Sequence, residues 1–278
     1  MKYKCIVSDL DWTLLKGDSE LDRKTRDALM TLTKHGVMFV PATGRAFQSV
    51  PQCVLDIPGV KYVITSNGVA IYDTLSKTPI VNSHLQVETV EKILKIAQEE
   101  GFVPEAFIQG KPYTGKEYYM DPVKFGARKE SISYIHRTRT VVADIFAFIE
   151  ANKEQLDCID IITKSDTKYE KIALLRELLP DNYITTSAPQ LIEISTKDSG
   201  KHRRMQELMR MLHIDLSEVV AFGDGDNDSD MLALAGVGVA MANATETCRQ
   251  SANFVTDTNE NDGVYKALCK LFPEYLCA

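Results

Sequence analysis

Glu218-Val219-Val220-Ala221-Phe222-Gly223-Asp224-Gly225-Asp226-Asn227-Asp228-Ser229-Asp230 is the stretch on which the fold turns. Its first half, Glu218 to Phe222, is a short β-prone run, and it stops at Gly223-Asp224. Its second half puts four carboxylates into seven residues beside two glycines. Like charges ~4 Å apart cost about 4 kcal/mol at an effective dielectric of ~20. Such a segment therefore predicts a cation among its carboxylates. A calcium EF-hand does not fit, because that loop needs Gly at position six and Glu at position twelve. Counted from Asp224 those positions hold Ser229 and Ala235, and counted from Asp9 they hold Leu14 and Glu20.

The same arrangement, a strand that ends in polar residues, recurs toward the N-terminus. Tyr3 to Ser8 is a β-prone run that stops at Asp9-Leu10-Asp11-Trp12-Thr13. Residues two apart on an extended segment point the same way, so both carboxylates can face one cavity. One can attack as a nucleophile while the other donates and accepts protons. Taken alone, the pair suits an acidic loop equally well. Val37 to Pro41 is a second strand, followed by Ala42-Thr43-Gly44-Arg45. A hydroxyl and backbone N–H groups there suit an anion, or an ordinary helix cap by Thr43. Lys201 begins a helix after Ser199-Gly200, where a point charge could neutralise a phosphate or could simply be solvated. In open α/β sheets ligands bind beyond the carboxyl ends of strands, which makes these four segments candidates for one site.

Between them the pattern alternates. Helices are expected over 21–35, 46–55, 200–212, 230–235 and 263–271, and strands over 62–66, 69–72, 190–195, 237–241 and 255–256. Asn67-Gly68 is a hairpin signal. This alternation predicts an α/β fold with a mainly parallel sheet covered on both faces. The middle differs. It has helices expected over 87–100, 140–152 and 168–179, a strand over 159–163, and a Tyr-rich connection, Pro112 to Tyr119. We read it as an inserted α/β domain, residues 83–188, within a core formed by 1–82 and 189–278.

Composition excludes other classes. Of 278 residues, 44% are hydrophobic and 26% charged, an ordinary globular balance. A formal net charge of −7, with no basic cluster, argues against nucleic acid as a partner. The uncharged run Met231 to Ala242 is too short to span a bilayer. Cys5-Ile6-Val7 meets Asp9 before any signal-peptide apolar region forms. The six cysteines, Cys5, Cys53, Cys158, Cys248, Cys269 and Cys277, show no zinc spacing and read as free thiols. A cytoplasmic protein without a membrane partner is expected.

The ordered motifs resemble those of the haloacid dehalogenase superfamily, specifically the Cof-type sugar-phosphate phosphatases with a large α/β cap. Asp9-Leu10-Asp11-Trp12-Thr13-Leu14-Leu15 is similar to the nucleophile motif, Ala42-Thr43-Gly44-Arg45 to the second motif, and Gly223 to Asp228 to the metal motif. Ser66-Asn67-Gly68, Asn243-Ala244 and Asp262-Gly263-Val264 also match, and Lys201 stands where the family's phosphate-binding lysine belongs. The resemblance implies a Rossmann-like core with an inserted cap. It implies hydrolysis of small phosphorylated metabolites, with Asp9 as nucleophile and Asp11 as acid and base. Mg²⁺ would be held by Asp9, Asp224, Asp228 and the Asp11 backbone carbonyl, and phosphoryl oxygens by Thr43, Lys201, Asn227 and backbone N–H groups at Leu10 and Gly44. Cap residues such as Tyr113, Tyr118, Tyr119, Lys124 and Arg128 are candidate substrate contacts. Trp12 departs from the glycine usual after the second Asp, which bears on the substrate pocket or on packing against the cap. The same motifs would also serve a phosphomannomutase-like phosphomutase. A sensor that binds phosphorylated metabolites would need no nucleophile.

Overall fold

Runs of four to six residues rich in Val, Ile and Phe are too short for stable helices but suit strands buried on both faces. A computed structural model describes residues 2–17, 19–163 and 166–276. In chain order its strands are β1 (Cys5–Ser8), β2 (Met38–Pro41), β3 (Tyr62–Thr65), β4 (Ala70–Asp73), β5 (Thr78–Asn82), β6 (Val103–Ile108), β7 (Lys111–Gly115), β8 (Thr140–Val142), β9 (Cys158–Ile162), β10 (Asn182–Thr185), β11 (Leu191–Thr196), β12 (Val219–Gly223), β13 (Val237–Ala240) and β14 (Phe254–Val255). The chain divides into two compact units, Met1–Val81 with Gly200–Ala278, and Asn82–Ser199.

The first unit is built on a parallel sheet in the order β14-β13-β12-β1-β2. Successive residues enter opposite layers, and both layers are buried. Ile6, Phe39, Val220, Phe222 and Val239 face one layer with Leu29, Leu32, Val264 and Leu268. Cys5, Val7, Val40, Val219 and Ala221 face the other with Met205, Leu208, Met231 and Leu232. The first layer is supplied by the helices Arg23–Lys34 and Gly263–Leu271, and the second by Lys201–Met211 and Ser229–Leu234. Full burial of each Val, Leu, Ile, Phe or Met side chain among them contributes about 1.5–3 kcal/mol. Asp22 caps the first helix by accepting from the Lys24 N–H at 2.7 Å. β3, β4 and β5 form a small antiparallel sheet that abuts the main one through a parallel bridge between Ala42 and Ile64.

In the parallel register Ser8 lies beside both Phe222 and Pro41. The carboxyl ends of β1, β2 and β12 therefore coincide, and the segments that follow leave the sheet together.

The second unit carries a mostly antiparallel sheet in the order β10-β11-β9-β6-β7-β8. Ala106, Ile159, Ile161, Ile192 and Ile194 on one face pack with the helices Val87–Glu100, Ile145–Ala151 and Lys168–Leu178. On the other face Ile162 and Leu191 pack with Tyr118, Ala127 and Ile135.

Three expectations need correction. The strand expected over 190–195 forms as β11, but it pairs antiparallel with β9 and β10. Residues 189–199 thus fold with the second unit, because their hydrogen-bonding partners are there. The helix expected over 46–55 breaks into short turns, Phe47–Ser49 and Gln52–Leu55, around Pro51, which lacks an N–H. The helix expected over 140–152 splits into β8 and Ile145–Ala151. Asp144 restarts it by accepting from the Ala147 N–H at 3.1 Å. Among the described residues no helix is long and apolar enough to cross a membrane. Cys5, Cys53, Cys158 and Cys248 carry free thiols, and Cys277 lies outside the described residues.

Candidate active site

Asp9 leaves β1 with its N–H bonded to the Phe222 carbonyl at 3.0 Å, which ties it to the end of β12. From there the second half of the acidic segment turns back. Asp226–Asp228 form a 3-10 turn, and Asp228 Oδ2 accepts the N–H groups of Asp224 and Gly225 at 3.0 Å each. Both glycines of this motif lie close against neighbouring side chains, and Gly223 is a steric requirement. A Cβ on Gly223 would lie 2.3 Å from the Asp228 Cβ, and one on Gly225 would lie 2.3 Å from Asn227 Oδ1. Asp9, Asp224 and Asp228 offer carboxylate oxygens that all lie within 4.8 Å of one another. Of the four aspartates in the segment, the other two point elsewhere. Asp226 accepts from Thr245 Oγ1 at 2.7 Å, and Asp230 is exposed near His202.

Lys201 supplies the positive charge. It is wholly buried, with Nζ 2.5 Å from Asp9 Oδ1 and 2.7 Å from Asp228 Oδ1. Burial pushes the Asp9 carboxyl up to about 7, against the opposing pull of Lys201, and Asp228 and Asp11 add to the rise. Asp224 is raised well above the usual carboxylate range, first by burial and then by Asp9 and Asp228, although Thr13 Oγ1 donates to its Oδ1 at 2.7 Å. One lysine thus leaves the three carboxylates short of positive charge. Their hard oxygen donors and close spacing fit a divalent cation, which would restore their ionised forms.

The remaining expected residues gather at the same sheet edge. Thr43 is buried, and its Oγ1 accepts the Arg45 N–H at 3.0 Å. Gly44 follows it, and Leu10 is buried directly after Asp9. Asn227 donates through Nδ2 to Asn67 Oδ1 at 2.8 Å. Asp11 stands apart from the carboxylate cluster. Its carboxylate takes a two-pronged ion pair from Arg45, with Nη2 at 2.5 Å and Nε at 2.8 Å. Arg45 is itself buried and anchored to the Ser49 carbonyl and Ser19 Oγ.

A family model of haloacid dehalogenase-like hydrolases matches residues 6–268. The chain belongs to that family. This haloacid dehalogenase-like hydrolase is 30% identical over 276 residues to a Haemophilus influenzae protein provisionally named a phosphatase, covering 99% of this chain and 100% of that one. It is likewise 30% identical to a Bacillus subtilis protein named phosphatase YwpJ, covering 94% and 97% of the two. A solved haloacid dehalogenase-like hydrolase from B. subtilis superposes with a TM-score of 0.82 at 26% identity, covering 97% of this chain and all of that one. The chain is accordingly an enzyme, a hydrolase with the α/β fold of this family.

Two features of this hydrolase escaped the sequence reading. Arg45 belongs to the second motif, but its pairing with Asp11, 34 residues away, has no signature in the sequence. Asn67 stands in the turn the sequence predicts, and its Oδ1 also orients Asn227. Trp12 has a left-handed backbone conformation, φ +62°, of the kind that favours glycine. Asn243 Nδ2 holds its carbonyl at 2.8 Å. Its ring edge lies along the neighbouring loop, 3.6 Å from where a Cβ on Gly17 would stand. Within the second unit, Tyr118 is fully buried and the Tyr119 hydroxyl donates to the His136 carbonyl at 3.2 Å.

Proposed function

We propose that this hydrolase cleaves phosphate monoesters of small metabolites, sugar phosphates among them, through a phosphorylated Asp9. The observation that carries the reading is the convergence of Asp9, Asp224, Asp228 and Lys201, drawn from distant stretches of chain, at one sheet edge. Ligand binding alone would not require a carboxylate there with a second, Asp11, two residues on.

In the first half-reaction an Asp9 carboxylate oxygen bonds to phosphorus while the bond from phosphorus to the ester oxygen breaks. Asp11 supplies the proton that the departing alkoxide takes. In the second half-reaction water attacks the phosphoryl group and gives a proton to Asp11. The bond to Asp9 breaks and inorganic phosphate leaves. Lys201 screens Asp9 from the anionic substrate. The acceptor role of Thr43 Oγ1 toward the Arg45 N–H frees its hydroxyl hydrogen for a phosphoryl oxygen. Asn227, steadied by Asn67, and the backbone N–H groups of Leu10 and Gly44 complete the set of donors. Asp9, Asp224, Asp228 and the Asp11 carbonyl would hold Mg²⁺, which supplies positive charge for the meeting of two anions. Arg45 holds the Asp11 carboxylate in a two-pronged ion pair, so proton donation in the first step requires that pair to open. The second unit, residues 82–199, takes the specificity role that the family resemblance implies for the inserted domain.

The test is Asp9→Asn, assayed for phosphate release from p-nitrophenyl phosphate and a panel of phosphorylated metabolites. Turnover should fall on the order of 10³-fold or more with the fold intact. Retained turnover removes Asp9 as nucleophile. An isomeric phosphate in place of free phosphate makes the enzyme a mutase.

A further inference from the structure

The turn that carries Asp11 is held by residues to which the phosphoryl chemistry gives no part. Between Asp11 and Thr13 stands Trp12, whose φ of +62° is an outlier for a bulky side chain. Such a conformation persists only where surrounding contacts over-determine it. The turn closes on the residue after the nucleophile. The Leu10 carbonyl accepts the Leu15 N–H at 2.8 Å and the Thr13 N–H at 3.4 Å. On either side of Trp12 the side chains go to different partners. Asp11 is taken by Arg45, and Thr13 Oγ1 donates to Asp224 Oδ1 at 2.7 Å. A shift of this one stretch of backbone would therefore displace both.

The backbone itself is gripped from the far end of the chain. Asn243 Nδ2 donates to the Trp12 carbonyl at 2.8 Å, and Asn243 Oδ1 accepts the Asn259 N–H at 3.1 Å. Asn259 Nδ2 donates to the Leu15 carbonyl at 3.0 Å, with a longer contact to Glu260 Oε1 at 3.4 Å. Glu260 Oε1 in turn accepts the Gly17 N–H at 2.8 Å. Two asparagines, bonded to each other, thus bracket Thr13 by holding the carbonyls of Trp12 and Leu15.

Asn259 is the buried member of the pair, and Leu15 is wholly buried. The stretch that bears the asparagines is also tied to the acidic segment. The N–H groups of Met241 and Thr245 donate to the carbonyls of Gly223 and Asp224 at 3.0 and 2.8 Å. The Ala242 N–H reaches the Asp257 carbonyl at 3.2 Å, which links Asn243 to the segment before Asn259. Thr256 Oγ1 donates to the Gly263 carbonyl at 2.7 Å and closes that segment. One framework therefore grips both the Asp11 turn and the loop of Asp224, and sets their separation. Asparagine suits the position, because its amide donates to a carbonyl and an ionised aspartate of nearly the same shape cannot.

We propose that Asn259 is a positioning residue of the phosphoryl site, acting with Asn243 to clamp the Asp11-Trp12-Thr13 turn against the acidic segment. It acts through the turn and not on the reacting atoms. Its effect on turnover rests on the acid role proposed for Asp11, whereas the clamp itself does not. A loosened turn misplaces the proton donor, and the step that suffers most is departure of a poor leaving group. Phenyl phosphate and p-nitrophenyl phosphate share a ring and differ in that demand. Nitrophenolate leaves readily without a proton, and phenolate does not.

The test compares Asn259→Asp and Asn259→Ala with wild type, and adds Asn243→Ala at an exposed position in case the buried variants fold poorly. Two quantities are measured: acrylamide quenching of Trp12, the single tryptophan of the chain, and kcat/KM on the two esters. Each variant should open Trp12 to the quencher. Its kcat/KM should fall ~10-fold or more further for phenyl phosphate than for p-nitrophenyl phosphate. Asn253→Ala is the control, since Asn253 Oδ1 accepts the Gly238 N–H at 2.7 Å toward the amino end of β13. It removes a bond of the same kind and should leave both quantities at wild-type values. Asp11→Asn, assayed alongside, should show the same split between the esters. The proposal is overturned if the variants quench as wild type does, if Asn253→Ala reproduces their effects, or if they slow both esters equally while Asp11→Asn does not. Should Asp11→Asn itself show no split, the acid role of Asp11 fails, and the quenching of Trp12 alone decides the clamp.

Discussion

Lys201 is buried between two carboxylates, and its stabilisation of the fold cannot be separated from its part in the site. Removing one partner from a buried ion pair leaves the other uncompensated, at a cost of about 3–5 kcal/mol. Lys201→Met should lower the unfolding free energy from urea titration by that amount and abolish phosphate release. An unfolding free energy within about 0.5 kcal/mol of wild type would place the lysine in solvent, where substitutions have small effects. Trp12 shows a different residue-scale effect. Its left-handed φ of +62° favours glycine, yet an indole occupies the position and lies along Gly17. The resemblance marked this position as unusual, but the direction of the ring depended on contacts outside the motif.

At the scale of elements, backbone-to-backbone contact sets the site's spacing. Gly68, at φ +86°, lies against Gly200, so that a Cβ there would stand 2.2 Å from the Gly200 carbonyl oxygen. This contact seats the start of the Lys201–Met211 helix beside the Ser66-Asn67-Gly68 turn. Gly68→Ala should cost about 2–4 kcal/mol, from overpacking together with a conformation that alanine resists. It should also reduce turnover by displacing Lys201. Unchanged stability in thermal unfolding would show that the two segments can part freely. Strands such as β1 and β12 were readable because an apolar run ends abruptly at aspartate. The break in 46–55 and the split in 140–152 were not read, although Pro51 and Asp144 stood in plain view. Their neighbours are apolar enough to suggest one longer helix. β11 was read as a strand but assigned to the wrong sheet, since a run such as Leu191 to Thr196 does not specify its pairing partners.

At the scale of the whole molecule, the site depends on chain separation. Asp9 and Lys201 are 192 residues apart, and Thr13 and Asp224 are 211 apart. A cation that binds only the folded arrangement must therefore stabilise it. Mg²⁺ at one hundred times its Kd should add about 2.7 kcal/mol to stability. EDTA should remove both that increment and the activity, and Asp224→Asn should blunt the response to Mg²⁺. A Tm indifferent to Mg²⁺ in wild type would contradict the charge balance inferred for the three aspartates. By itself the sequence determined the alternating α/β pattern and singled out the aspartates and lysine that the fold brings together, because these are written in local periodicity and in motifs with few other uses. Only the tertiary structure decided that Arg45 would take Asp11, that Asn67 would hold Asn227, and that Glu105, Asp160 and Glu193 would stand in one buried row. Those relations arise from strand register and helix packing, which bring together residues whose own surroundings in the chain carry no trace of one another.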